Sequence, residues 1–305
     1  MTASEEIGAA AAEKESASLI APATSSSALL DARYWLELSP WRISAAWSLA
    51  AAALAAGIGE VIRSVSPQLI VLLFLLVDPL WGNIWGGLSA SEALPRIRQS
   101  VLRRRPWIPY LSSGSPAARL FGQEGAGVHS ILARAWLPGV AVAFVVAFAI
   151  GPPAVWTTLV VLCVSVGNWI QRHVPVFPTS VLHSLVIVAG PWILGLTIFG
   201  LDPWSDYHWA IVLLWTVHAW GGNRCLEEPN AHGGLWGAYW AMGLAQFGVA
   251  LLLIVGQVPL PLTALGVLWL ATWLTIYRGL PLVNIQFSWT AGMLISAAAI
   301  AQATF

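Results

Sequence analysis

The sequence predicts an all-α membrane protein: a bundle of about nine transmembrane helices with the N-terminus cytoplasmic and the C-terminus on the opposite face. Three observations lead there. Of 305 residues, 58% are hydrophobic and only 9% charged, with a mean hydropathy of +0.74, whereas soluble domains carry about 25% charged residues. Apolar runs recur at lengths close to the roughly 20 residues that cross a hydrocarbon core. Nineteen tryptophans add a side chain that favours the membrane–water boundary.

In chain order, residues 1–33 are rich in Ala, Ser and Glu and lack apolar periodicity; they are expected to form a disordered tail and not a signal peptide. The segment Tyr34–Trp41, YWLELSPW, is amphipathic and suits a short interfacial helix. The helical domain is then 34–305, with spans expected over 44–62, 67–88, 135–152, 154–171, 180–200, 207–222, 234–256, 260–277 and 284–304. Gly151-Pro152-Pro153 and Pro259-Leu260-Pro261 mark tight hairpins between neighbours.

The long polar insertion 89–134 holds Arg96, Arg98, Arg103, Arg104, Arg105, Arg119 and Arg134 against Glu92 and Glu124, which makes it a cytoplasmic loop by the positive-inside rule. Alternating the spans from that anchor sends Arg33, Arg42, Arg172, Arg224 and Arg278 to the same side and leaves only Arg63 on the other. Asp202 and Asp206 fall opposite. Net charge zero removes nucleic acid as a partner. Cys163 and Cys225 are far apart and match no metal spacing.

Polar residues close three spans on the arginine-rich side. LLVDPLWGNIWGG carries Asp78 and Asn83; GNWIQRHVP carries Asn168, Gln171, Arg172 and His173; LLWTVHAWGGNRCLEEPNAHGG carries His218, Asn223, Arg224, Glu227, Glu228, Asn230 and His232. Polar groups at membrane depth are costly and point to function or to pairing inside a bundle. The simpler roles are caps, snorkelling side chains and anchors. Trp204, Trp209, Trp236, Trp269 and Trp273 are expected as interfacial anchors, Gly82, Gly86, Gly87, Gly190 and Gly195 as close helix contacts. His183 and His208 are expected towards the outer face or in packing, without a partner. Asp78 stands out, because Pro79 beside it loosens the helical ladder.

This layout resembles the UbiA superfamily of intramembrane prenyltransferases. The family has nine helices, an inside N-terminus, and an active site where the cytoplasmic ends of helices 2 and 6 face each other. Its first motif, NDxxDxxxD, precedes a loop with an Arg-Pro pair and a Ser/Gly-rich step; here Asp78 is followed by RRRPWIPYLSSGSPAARL, with Arg105-Pro106 and Ser112–Ser115. GNWIQRHVPVFPTSVLHSLVIVAGPWILGLTIFG is similar to the family's basic segment and glycine-rich fifth helix. The chain departs from the pattern at Val77 and Trp81 in the first motif, and Glu227 and Glu228 are the acids of the second, followed by Pro229.

The resemblance implies transfer of a polyprenyl group from its diphosphate to a lipophilic acceptor. Asp78, Glu227 and Glu228 would be the catalytic and Mg²⁺-holding carboxylates; Arg105, Arg172 and Arg224 would contact phosphate; Asn83, Asn168, His218 and Asn223 would line the substrate cavity. The alternative is a catalytically inactive protein of the same fold, a membrane subunit or a binder of an isoprenoid-tailed pigment or quinone, part of a larger membrane-protein complex, with His218 as the ligand to the metal of a chlorin pigment. A transporter fits poorly, since the halves show no inverted repeat. The cytoplasmic arginines suit a prokaryotic inner membrane.

Overall fold

The computed structural model of the protein describes residues 41–89, 136–171, 178–204, 206–227 and 235–303. Their regular structure is entirely helical: α1 (Ala45–Ala55), α2 (Ile58–Ser64), α3 (Pro67–Leu88), α4 (Leu137–Ile150), α5 (Pro152–Gln171), α6 (Thr179–Ile198), α7 (Asp206–Glu227), α8 (Trp236–Val255), α9 (Pro259–Tyr277) and α10 (Leu282–Ile300). The tail 1–33, the segment 34–40 and most of the loop 89–134 lie outside the described residues.

Each expected span falls on helix, with differences in what that helix can do. Among the described residues six helices, α3, α5, α6, α8, α9 and α10, are long and apolar enough to cross a membrane. The first span is not one straight rod, because α1 and α2 meet at 95°. Gly57 sits at the bend with φ +82°, a conformation that L side chains rarely adopt. Counted as one broken span, the pair brings the number to seven. α4 has 14 residues, about 21 Å of helix against a core of about 30 Å. α7 has 22 residues, but its end, GGNRCLE, is polar.

Two apolar clusters share α1 and α6. Leu73, Leu76, Val77, Trp81 and Ile84 of α3 pack with Ala143 and Ala147 of α4 and Ala154 and Val161 of α5. Trp215 of α7, Met242 of α8, Leu265 of α9 and Trp289 and Met293 of α10 form the second cluster. α1 gives Ala45 and Leu49 to the first and Ala51, Ala52 and Ala55 to the second; α6 divides likewise, Val186 and Leu194 against Ile187, Val188, Trp192 and Leu196. α1 can stand between them because it is built of alanine. A Cβ on Gly195 of α6 would come 2.6 Å from Ala52 Cβ, the close approach that small residues permit when lipid supplies no hydrophobic drive between helices.

Indole N–H groups cross-link the helices. Trp81 donates to Thr158 Oγ1 (3.1 Å), Trp215 to Ser296 Oγ (2.7 Å), Trp220 to Ser180 Oγ (3.1 Å) and Trp289 to Thr272 Oγ1 (3.1 Å). Of the expected anchors, Trp204, Trp209 and Trp236 are exposed, whereas Trp269 packs against the second cluster and Trp273 donates to Gln246 Oε1 at 2.8 Å. The last two face protein: the Trp273 N–H finds its acceptor across α8 and α9, and the Trp269 ring packs on the second cluster while its N–H has no hydrogen-bond partner among the described residues, placements that sequence spacing does not display.

Candidate functional site

Asp78 lies in the middle of α3 and not at its end. It follows eleven helical residues and precedes ten more to Leu88, about 15 Å of helix beyond it. The turn Leu76–Leu80 that carries it is π-helical, with Pro79 inside. Proline removes one ladder donor and its ring crowds the preceding turn, and a widened turn absorbs both without ending the helix. The expectation that Asp78 closes its span is corrected on this ground. Its side chain is 0% exposed. α6 widens in the same way at Leu185–Ala189, just before Pro191, and Gly190 packs on the Trp81 ring, so the two loosened helices touch.

One end of the bundle gathers side chains from α3, α5, α6 and α7 and from the segment before α1. Arg42, before α1, donates through Nε (3.2 Å) and Nη2 (2.9 Å) to Asn223 Oδ1 near the end of α7. Asn223 is 4% exposed, and its Nδ2 has no partner among the described residues. His183 of α6 lies within electrostatic reach of Arg42 and stacks on Trp85 of α3, centroids 5.4 Å apart. Thr179 donates to Asn168 Oδ1 of α5 at 3.0 Å. The first turns of α6 thus tie the ends of α3, α5 and α7 together through Thr179, Ser180 and His183.

Of the residues singled out by sequence, the structure brings Asn168 and Asn223 to this end. It also adds Arg42, assigned from sequence only to orientation, and His183, expected without a partner. Asn83 is buried against Gly139 of α4. Arg224 is half-buried in the last turn of α7 beside Cys225. Glu227 is the final residue of that helix, and its side chain, like Glu228, Arg105 and Arg172, lies outside the described set. Among the described residues no three His, Cys, Asp or Glu side chains are grouped as a metal site, and both cysteines are free.

His218 stands apart from both places. It is 2% exposed, with Trp215 at 4.9 Å and Trp289 at 5.7 Å between ring centroids. An indole nitrogen only donates, so Trp273 makes Gln246 Oε1 the acceptor. The amide Nε2 of Gln246 then donates to His218 Nε2 at 3.2 Å. That assignment leaves the imidazole proton on Nδ1, which is buried without a hydrogen-bond partner among the described residues. His218 belongs to the second cluster and Asp78 to α3 in the first, with α1 and α6 between.

No protein-family model matches the chain, and neither curated proteins nor solved structures provide a significant match.

Proposed function

We propose that the protein is a UbiA-like intramembrane prenyltransferase that moves a polyprenyl group from its diphosphate to a lipophilic acceptor. The observation that carries this is Asp78, a fully buried carboxyl at the middle of a 22-residue apolar helix, in a π turn. Placing an ionisable group there costs about 2.5–3.5 kcal/mol on insertion scales, and π turns recur at functional sites. In this reading the chain has nine spans with the N-terminus and the arginine-rich face cytoplasmic, in a prokaryotic inner membrane.

Asp78 fits Mg²⁺ to the extent that this ion takes one or two carboxylates together with phosphate oxygens and waters, and Glu227 or Glu228 would be the second. When bound, Mg²⁺ would offset the charge of the diphosphate. Arg42, Arg224 and the Asn223 amide N–H belong to the polar end, where charge-assisted donors favour an anion; Arg105 and Arg172 would join them. Asn83 and Asn168 would bound the cavity, whereas His218 lies in the other half of the bundle against Trp215 and Trp289 and would not; the apolar interior suits the prenyl chain at about 0.8 kcal/mol per buried CH₂.

The test gives purified protein labelled polyprenyl diphosphates, Mg²⁺ and membrane lipids as acceptors. Labelled lipid should form, and Asp78→Asn should lower turnover by about 10²–10³-fold, the scale for one electrostatic group at a reacting centre. If no donor is consumed, and Asp78→Ala alters neither binding nor turnover, the reading is wrong.

One observation favours a second reading, a non-catalytic subunit of a membrane complex that holds a quinone: the His218 Nδ1–H suits a carbonyl oxygen. A chlorin at His218 is disfavoured, because its Nε2 is taken by Gln246 and two indoles lie against the ring. Quinone in the organic extract of the protein, absent from that of His218→Phe, would support this reading.

A further inference from the structure

α1 packs from Ala45 to Ala55 between the two apolar clusters, and α2 leaves it at 95°, so α2 lies across the direction of the bundle. Only Val65 and Ser66 separate α2 from Pro67, where α3 begins, which puts α2 at the end of the bundle remote from Arg42. Between Arg42 and α2, α1 has 11 residues, a rod of about 16 Å. Where the spanning helices cross a bilayer, a helix at right angles to them lies in the membrane plane.

The seven residues Ile58–Ser64 divide by face. At about 100° per residue, Ile58, Ile62 and Val61 share one side, and Gly59, Arg63, Glu60 and Ser64 share the other. Val61 is buried, as is Val65 one turn on, so the apolar side is pinned to the bundle along one edge. Beside that edge Ile58 is 54% and Ile62 67% exposed. On the polar side Arg63 folds back on its own helix: Nη2 pairs with Glu60 Oε1 at 3.2 Å and Nε donates to the Gly59 carbonyl at 3.1 Å. α2 therefore offers two bare isoleucines on one face and an internally paired, neutral charge pair on the opposite one. Lying flat, such a helix fits the membrane boundary, apolar face towards the acyl chains and polar face among the headgroups.

We propose that α2 is an interfacial foot, with Ile58 and Ile62 seated among the acyl chains and the Glu60–Arg63 pair among the headgroups, whatever the headgroup charge. The seat fixes the height of α1 and with it the depth at which Arg42 meets Asn223. It is independent of the prenyl-transfer reading, since neither Asp78 nor any side chain of the polar end takes part in it.

The test places single nitroxide labels at Ile58→Cys, Glu60→Cys, Ile62→Cys and Arg63→Cys in the full chain, with Cys163→Ser, in phosphatidylcholine nanodiscs; Cys225 is buried and stays. All four labelled positions are exposed, so the labels leave the fold intact. Molecular oxygen concentrates in hydrocarbon and a nickel chelate in water, so their relative effect on each label's relaxation reads its depth. Oxygen should dominate at Ile58 and Ile62 and nickel at Glu60 and Arg63. Dominant nickel at the two isoleucines would overturn the proposal, and so would shielding of both from either relaxant, the mark of a covering protein surface. In phosphatidylglycerol nanodiscs the same pattern should hold, because Glu60 already holds Arg63; a pattern present in only one of the two lipids would refute the charge-independent seat. No diphosphate donor is present, so this outcome is separate from that of the transfer assay.

Discussion

Gln246 binds two rings at once, accepting from Trp273 and donating to His218 inside the bundle. Gln246→Leu keeps the approximate volume but strands both nitrogen groups. The expected loss is about 1–3 kcal/mol, the cost of unmet buried polar groups, read as a lower unfolding temperature in detergent; Thr263→Val, whose hydroxyl bonds only its own helix on an exposed face, should leave that temperature unchanged. At this scale Asp78 was legible as the outstanding carboxyl, because it interrupts an apolar run. Arg42 and His183 were not legible as site residues. Arg42 meets Asn223 across 181 residues, and His183 meets Trp85 from another helix, so local pattern holds no trace of either pairing.

The helices themselves were largely written in hydropathy, down to the Gly151 hairpin, where φ is +135°. Their departures from straight rods came from proline and glycine. Pro79 produced a π turn and not an end, because α1 and α4 pack against that turn, and tertiary contact can sustain a helix through a missing donor. Glycine positions separate packing from backbone freedom. Gly195→Leu must displace Ala52 and Leu49, and Gly221→Val must displace the Ala238 carbonyl. Each should cost about 1–3 kcal/mol or more by overpacking. Gly237→Ala meets open space and should be neutral or slightly stabilising. Yield and thermal inactivation of the three variants check this ordering.

For the whole molecule, the bond from Arg42 to Asn223 puts Arg42 and Arg224 at one end, and Thr290 Oγ1 donating to the Trp41 carbonyl at 2.8 Å brings the start of α10, near Arg278, to the same end. Arg42, Arg224 and Arg278 are thus at one end; the other arginines that the sequence sorts to that face lie outside the described residues. With the arginine-rich face cytoplasmic, an impermeant maleimide should label Asp202→Cys in intact cells and Gly279→Cys only after permeabilisation, both in a Cys163→Ser background. Labelling of both from outside would refute that orientation. Composition alone determined that the chain is helical and meets lipid, because unsatisfied backbone groups in hydrocarbon leave helices as the economical form for long apolar runs. It also determined where those runs start and stop. Only the tertiary structure decided that α1 bends, that α1 and α6 stand between a pair of apolar clusters, that several tryptophans are internal cross-links, and that Asp78 and His218 lie in different halves. The physical reason is that hydropathy sums over a single segment, whereas these features depend on which side chains of distant segments share a surface.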